Sequence, residues 1–434
     1  MMTEADKSRT IRVDALARVE GEGGLFVRLV GGNVEEVQLR IYEPPRLFEA
    51  LLRGRKLEEV PDIVARICGI CPVAYQMSAV HALEQALGVQ IPHELHALRR
   101  LLYCGEWIES HTLHIHLLHA PDFLGYDSGL SMARHFPEEV QRGLRMKKYG
   151  NELLEVLGGR AIHPINVAVG GFHRLPRREQ LVSLIPNLEW ALEAAVSMTR
   201  WVATFDFPDF TRAYDMVALV RDDEYPMNAG RIASTAGGVL EASQYETEYC
   251  EYQVPHSTAL HSRRKSTSAP YLVGPLARLN LNLDRLTPTA RRLADEVGVD
   301  WPCHNTYQSI VARGLEVVHA FEEALQIVKA YRPVPPRVRY EHRAASGCAA
   351  TEAPRGLLYH RYEIDEQGLV VGANIVPPTS QNQGQIEDDL RAYIGSHATL
   401  ADDAMAAGCE HLVRNYDPCI SCSTHFLKLK LDRL

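Results

Sequence analysis

Cys68-Gly-Ile-Cys71 and Cys419-Ile-Ser-Cys422 stand near opposite ends of the chain. A fold that uses both pairs together must bring its beginning and its end to one point. Thiolates are soft ligands that select zinc, nickel, copper(I) or iron. A small zinc knuckle draws its ligands from one short stretch, so pairs collected from both ends suggest a metal built into the centre of the molecule. The nine cysteines are an odd number that includes two CxxC pairs. They fit metal binding in a reducing compartment better than a disulfide framework.

With 434 residues, 46% of them apolar, the chain is long enough for a large core. The expectation is a single domain over 1–434. Acidic residues outnumber basic ones, 55 to 46, for a net charge of -9. That balance offers no electrostatic footprint for a nucleic-acid backbone. No run approaches the roughly 20 apolar residues of a membrane span, and the polar start MMTEADKSRTIRVD has no apolar signal segment. These features point to a cytoplasmic protein whose partners are proteins or small molecules.

Alternation of Leu25, Val27 and Leu29, a Gly31-Gly32-Asn33 turn, and alternation of Val37, Leu39 and Ile41 predict a β hairpin within about 11–42. The period then becomes helical after the first CxxC, over 95–119, 177–205 and 314–331. GLLYHRYEI and GLVVGANIV, near 356–376, read as two further strands. Pro418 disfavours helix immediately before the second pair, which places both pairs on loops or helix starts. The fold class is mainly α with small β elements (α+β). No GxGxxG strand-turn-helix fingerprint assigns nicotinamide binding to this chain.

Four cysteines alone would also suit a structural tetrathiolate zinc site. Their flanks favour another choice. RICGICPVAYQMSA (66–79) and DPCISCSTH (417–425) resemble the paired signatures of the large subunit of nickel-iron hydrogenases, in the soluble bidirectional NAD(P)-linked or sulfhydrogenase-like branch. RVEGEGG (18–24), FEALLRGR (48–55), HPINVAVGG (163–171), EAPRG (352–356) and IVPPTSQN (375–382) are similar to further blocks of that family. The likeness therefore spans essentially the whole chain.

The resemblance implies the large-subunit fold and a binuclear centre, with Cys68 and Cys419 as terminal nickel ligands and Cys71 and Cys422 bridging nickel to iron. It also implies carbon monoxide and cyanide on the iron, supplied by maturation proteins. Heterolytic cleavage of dihydrogen frees a proton that a nearby base must take, and the resemblance nominates Glu20. Arg355 matches an arginine suspended above the metals. Because arginine stays protonated, a fixed positive charge is its simpler role. Asp122 and Asp417 match carboxylates that hold this guanidinium. A magnesium site is implied at Glu49 and His425, completed by a backbone carbonyl near Asn374 or Ile375.

Two positions depart from the family pattern. Tyr75 stands where many relatives have a histidine that hydrogen-bonds a bridging sulfur, and its hydroxyl can still donate. Pro378 stands where others carry a cyanide-binding Ser or Thr, which leaves Thr379 as the nearest substitute. His111, His114, His116 and His119 cluster in sequence but lack identifiable further ligands, so core packing or proton relay is favoured over a separate metal. Cys104, Cys250, Cys303, Cys348 and Cys409 read as buried small apolar residues.

No cysteine set remains for iron-sulfur clusters once the four thiolates are assigned. The resemblance supplies them in a small iron-sulfur subunit, with flavin and NAD(P) bound by further partner subunits. It also implies a C-terminal metal-binding segment at 417–425 and an extension, 426–434, removed after His425 by a maturation endopeptidase. A hydrogen-sensing regulatory subunit with the same metal centre is the alternative function.

Overall fold

The computed structural model describes residues 8–424. Ser8–Val13, Gly23–Val30 and Asn33–Ile41 form an antiparallel meander. Leu25 faces Leu39 and Val27 faces Val37 across the last two strands, and all four are buried. This is the period-two pattern of a sheet covered on one face. The expected hairpin thus carries a third strand, whose polar sequence SRTIRV buries Ile11 alone among its apolar residues. An edge strand of that composition gives almost no alternating signal.

Long helices form the centre. His93–Leu113 packs on Pro137–Gly158 and on Ser309–Ala330, which also packs on Ile185–Val202. The first two helices meet through glycines: a Cβ at Gly150 would lie 2.8 Å from the Gly105 carbonyl oxygen, and one at Gly105 would lie 3.0 Å from that of Gly150. Any side chain there would force the helices apart. The helix expected over 95–119 gives way at His114–His119 to a π-helical stretch, a wider turn that interrupts the α-helical spacing of the histidines.

Pro72–Leu87 starts directly after Cys71 and lies against a second meander of Ala345–Ala353, Gly356–Ile364 and Val370–Val376. The last two strands match expectation. The first, ASGCAATEA, has little β-branched or aromatic content, and it is held in place between its helix and its neighbouring strand. Smaller sheets occupy 217–240 and 249–264. Among the described residues no helix is long and apolar enough to cross a membrane.

The two ends of the chain are tied together. Glu20 forms a parallel bridge with Cys419, and the Ile420 N–H donates to the Glu20 carbonyl at 2.9 Å. The Arg46 N–H donates to the Thr424 carbonyl at 2.8 Å. Backbone bonds therefore fix the second CxxC against the N-terminal segment.

Candidate metal centre

Local structure explains how each pair presents its sulfurs. Cys68 is extended, while Cys71 precedes the helix Pro72–Leu87, with Pro72 in the first helical turn. Glu106, from His93–Leu113, accepts the free N–H groups of Val73 and Ala74 at 2.6 and 3.1 Å, anchoring that helix start. Cys419 precedes the short helix Ile420–Ser423. Both pairs thus sit at helix starts.

All four sulfurs are buried and lie within 4.8 Å of one another. Cys68 Sγ is 3.5 Å from Cys419 Sγ, and Cys71 Sγ is 3.7 Å from Cys422 Sγ. These separations exceed a disulfide bond of about 2.05 Å. Hydrogen bonds from Cys419, Cys422 and Cys71 hold Cys68 well below the ordinary thiol range, whereas burial pushes Cys419 well above it. Four buried sulfurs cannot all ionise without positive charge among them. The donor set suits soft transition metals and fits a nickel-iron pair.

Glu20 reaches this cluster. Cys419 Sγ donates to its Oε2 at 3.1 Å, and the Ser421 N–H donates to the same oxygen at 3.1 Å. Ser421 Oγ continues outward to Glu43 Oε1 at 3.1 Å. Arg355 donates through Nε to the Asp417 carbonyl at 2.7 Å and through Nη2 to Asp417 Oδ1 at 3.1 Å. Burial works against the charge of Arg355, but Asp417 and the sulfurs of Cys419, Cys71 and Cys68 outweigh it and push its pKa up. Arg355 Nη1 and Asp417 Oδ2 are buried with no hydrogen-bond partner among the described residues.

Asp122 is engaged elsewhere. Its oxygens take Arg414 Nε and Nη2, each at 2.7 Å, and Arg18 Nη2 at 2.5 Å. Burial opposes its charge, yet Arg414 and then Arg18 hold the carboxyl below its ordinary range. The expected Asp122–Arg355 pairing is therefore corrected: Asp417 holds Arg355, while Asp122 joins the residues before Glu20 to the helix before Asp417. Arg18 lies inside the RVEGEGG motif, but no local signal in the sequence marks Arg414.

Thr379, in the first turn of Pro378–Ser396, accepts the Cys419 N–H through Oγ1 at 3.0 Å. Tyr75 is buried, and burial together with the nearby sulfurs pushes its phenol well above the ordinary range, so it remains a hydroxyl donor. Glu49 Oε1 accepts the Ile375 N–H at 2.8 Å. Glu49 also lines a cavity of about 370 Å³ with Glu246, Glu251, Lys265 and Asn374. His425 and the extension 426–434 lie outside the described residues.

The four histidines take separate hydrogen-bond partners, although the His114 and His119 rings still pack together with centroids 5.0 Å apart. His111 contacts Glu316 at 3.0 Å, His114 the Arg414 carbonyl at 2.9 Å, His116 the Thr112 carbonyl at 2.9 Å, and His119 Asn415 at 3.0 Å. Of the other cysteines, Cys104, Cys303 and Cys409 are buried, but Cys250 and Cys348 are only half-buried. The expectation of burial is corrected for these two, which lie on strands at Tyr249–Gln253 and Ala345–Ala353.

Sequence reasoning missed a buried ion network behind Arg355. Arg278 donates to Glu316 at 2.6 and 2.7 Å, to Glu352 at 3.1 Å, and to the carbonyls of Ala353 and Pro354 at 2.8 and 2.9 Å. It thereby fixes the turn that presents Arg355. Glu352 belongs to the EAPRG motif, whereas Arg278 and Glu316 lie in segments with no recognisable signature.

The family model for nickel-dependent hydrogenases matches residues 46–141 and 262–425. The chain is 35% identical over 424 residues to sulfhydrogenase 1 subunit alpha of Pyrococcus furiosus, covering 96% of this chain and 98% of that one. It is 27% identical over 479 residues to the NAD-reducing hydrogenase HoxS subunit beta of Cupriavidus necator, covering 97% and 95%. A crystal structure of an NAD+-reducing [NiFe]-hydrogenase in the H2-reduced state superposes with a TM-score of 0.86 at 29% identity, covering 96% of this chain and 99% of that one. With its four buried sulfurs assembled from both ends, the chain belongs to the nickel-dependent hydrogenases, as the large catalytic subunit of a nickel-iron enzyme.

Proposed function

We propose that this subunit interconverts dihydrogen with two protons and two electrons, with Cys68 and Cys419 as terminal nickel ligands and Cys71 and Cys422 bridging to iron. When bound, the nickel-iron pair supplies the redox chemistry of that cleavage. The chain's own contribution begins with the proton. Cys419 Sγ holds it at 3.1 Å from Glu20 Oε2, within reach for direct transfer. This contact inside the buried sulfur cluster carries the assignment.

Arg355 serves as a fixed cation, its fork held by the Asp417 carbonyl and carboxylate. The buried Nη1, which has no hydrogen-bond partner among the described residues, is available to a ligand at the centre. Tyr75 contributes a hydroxyl donor near the sulfurs. Thr379 positions Cys419 through its backbone bond and is the candidate hydroxyl for a cyanide on iron, which also carries carbon monoxide. Glu49, facing a cavity lined by further carboxylates, joins His425 in holding magnesium, a hard ion that keeps several waters.

Electrons leave through a small iron-sulfur subunit and pass to flavin- and NAD(P)-binding subunits in the cytoplasm. A relative named as an NAD-reducing hydrogenase supports the nicotinamide end of this route. A maturation endopeptidase removes residues 426–434 after His425. The test is elemental analysis of the purified complex together with infrared spectra and hydrogen-dependent reduction of a dye and of NAD(P). Nickel matching the amount of this subunit, iron in excess of nickel because the partner carries iron-sulfur clusters, bands of metal-bound carbon monoxide and cyanide, and turnover are expected. Zinc in place of nickel and iron would overturn the assignment. An intact centre with negligible turnover would indicate a sensor instead.

A further inference from the structure

A second group of metal-ligating side chains lies outside the cysteine centre. His256 is in the turn between strands Tyr249–Gln253 and Leu260–Arg264, His261 is on the second strand, and Glu387 is on helix Pro378–Ser396. One ligand atom from each lies within 4.8 Å of the others. His256 Nε2 is 2.8 Å from Glu387 Oε1, which also accepts the Leu39 N–H at 2.8 Å. The turn is further held by Thr258, whose N–H and hydroxyl donate to the Ile41 and Glu43 carbonyls at 2.8 and 2.7 Å. The group therefore sits where hairpin, helix and N-terminal sheet meet.

His261 is the unusual member. It is 1% exposed, and neither ring nitrogen has a hydrogen-bond partner among the described residues. Its ring packs beside those of Tyr252 and His256, with centroids 5.6 and 5.9 Å away. A buried imidazole with two unsatisfied nitrogens is costly, and a metal bond at one of them would relieve that cost. Burial pushes its pKa down to about 4, leaving the neutral form that binds metals. His256 and Glu387 are only partly buried, which gives an ion access from solvent.

We propose that His256, His261 and Glu387 bind a divalent transition ion of the zinc type that clamps the hairpin to the helix carrying Thr379. Two imidazoles and a carboxylate are a recognised donor set for zinc, with water in the fourth position. Bonds of about 2.0–2.1 Å would set tetrahedral ligands about 3.4 Å apart. The ion would open the His256–Glu387 contact slightly and draw His261 inward. No electron transfer is assigned to it.

The test is titration of the purified, nickel-loaded complex with zinc chloride, followed by metal analysis, zinc-edge X-ray absorption and thermal unfolding. One zinc per chain in a nitrogen and oxygen environment without sulfur is expected, together with a higher unfolding midpoint. The sulfur-free environment separates this site from zinc misplaced at the cysteines. His261→Gln and Glu387→Gln should lose the zinc and the thermal shift while keeping wild-type nickel content. If either variant fails to fold, the more exposed His256→Ala provides the same readout. Absence of zinc uptake by the wild-type complex, sulfur ligation of the bound zinc, or undiminished uptake in the folded variants would overturn the proposal.

Discussion

Replacing Glu20 by glutamine isolates its proton-accepting role. The amide has nearly the same volume and retains an oxygen for the Ser421 N–H, now 3.1 Å from the carboxylate. The backbone bond from Ile420 to the Glu20 carbonyl is untouched, so the second CxxC keeps its place. What disappears is the basic oxygen 3.1 Å from Cys419 Sγ. Cys419 is buried, and Glu43 lies one step further out, bonded to Ser421 Oγ. Positioned acid-base groups contribute about 10²–10⁴-fold to rate, or about 2.7–5.4 kcal/mol of barrier at ~1.36 kcal/mol per tenfold. Hydrogen oxidation by Glu20→Gln should fall within that range, and hydrogen-deuterium exchange should fall with it. Nickel content and infrared bands of the centre should match wild type, and Glu20→Asp should recover part of the rate. A nickel-replete Glu20→Gln enzyme retaining half of wild-type turnover and exchange would refute the role.

Gly21 has φ +88°, and a Cβ there would lie 2.5 Å from Glu43 Oε1 and 2.8 Å from Ile420 Cβ. Gly21→Ala should cost about 1–3 kcal/mol through overpacking and lower nickel occupancy, measured by denaturant unfolding and metal analysis. Arg278→Met leaves Glu316 buried without its main partner. A loss of about 3–5 kcal/mol is expected in urea unfolding, along with weaker hydrogen oxidation as the Arg355 turn loosens. The pH dependence of unfolding carries a third signature. Burial raises the Glu316 pKa, but Arg278 outweighs it and brings the carboxyl down from 4.5 to about 2 in the folded chain. A depressed carboxyl contributes its stability above the unfolded value and loses it as pH falls toward the folded one. Unfolding free energy should therefore decline between these values, with a shallower slope in Glu316→Gln.

The legibility of the sequence varied with the locality of each signal. Alternation at Leu25–Val27–Leu29 and Val37–Leu39–Ile41 marked real strands because each residue's burial follows from its own strand's geometry. Ser8–Val13 and Ala345–Ala353 escaped because neighbouring elements, rather than strong propensity, hold them in the sheets. The histidines of 111–119 looked grouped, but the π stretch and the surrounding helices gave each a different partner. His256 and His261 carry no local signature, since Glu387 completes their group from a distant helix.

By itself the sequence determined the chemistry on offer: two thiolate pairs with distinctive flanks, an arginine in EAPRG, a carboxylate in RVEGEGG, and a mainly helical chain with short sheets. Ligand spacing and periodicity are local properties, so they survive without coordinates. Tertiary structure decided which of these groups meet. It set Glu20 against Cys419 and Arg355 against Asp417, diverted Asp122 to Arg18 and Arg414, and placed Arg278 behind the Arg355 turn. These contacts join residues far apart in the chain, and burial makes their pairing selective because an ion left without its partner in the core is costly.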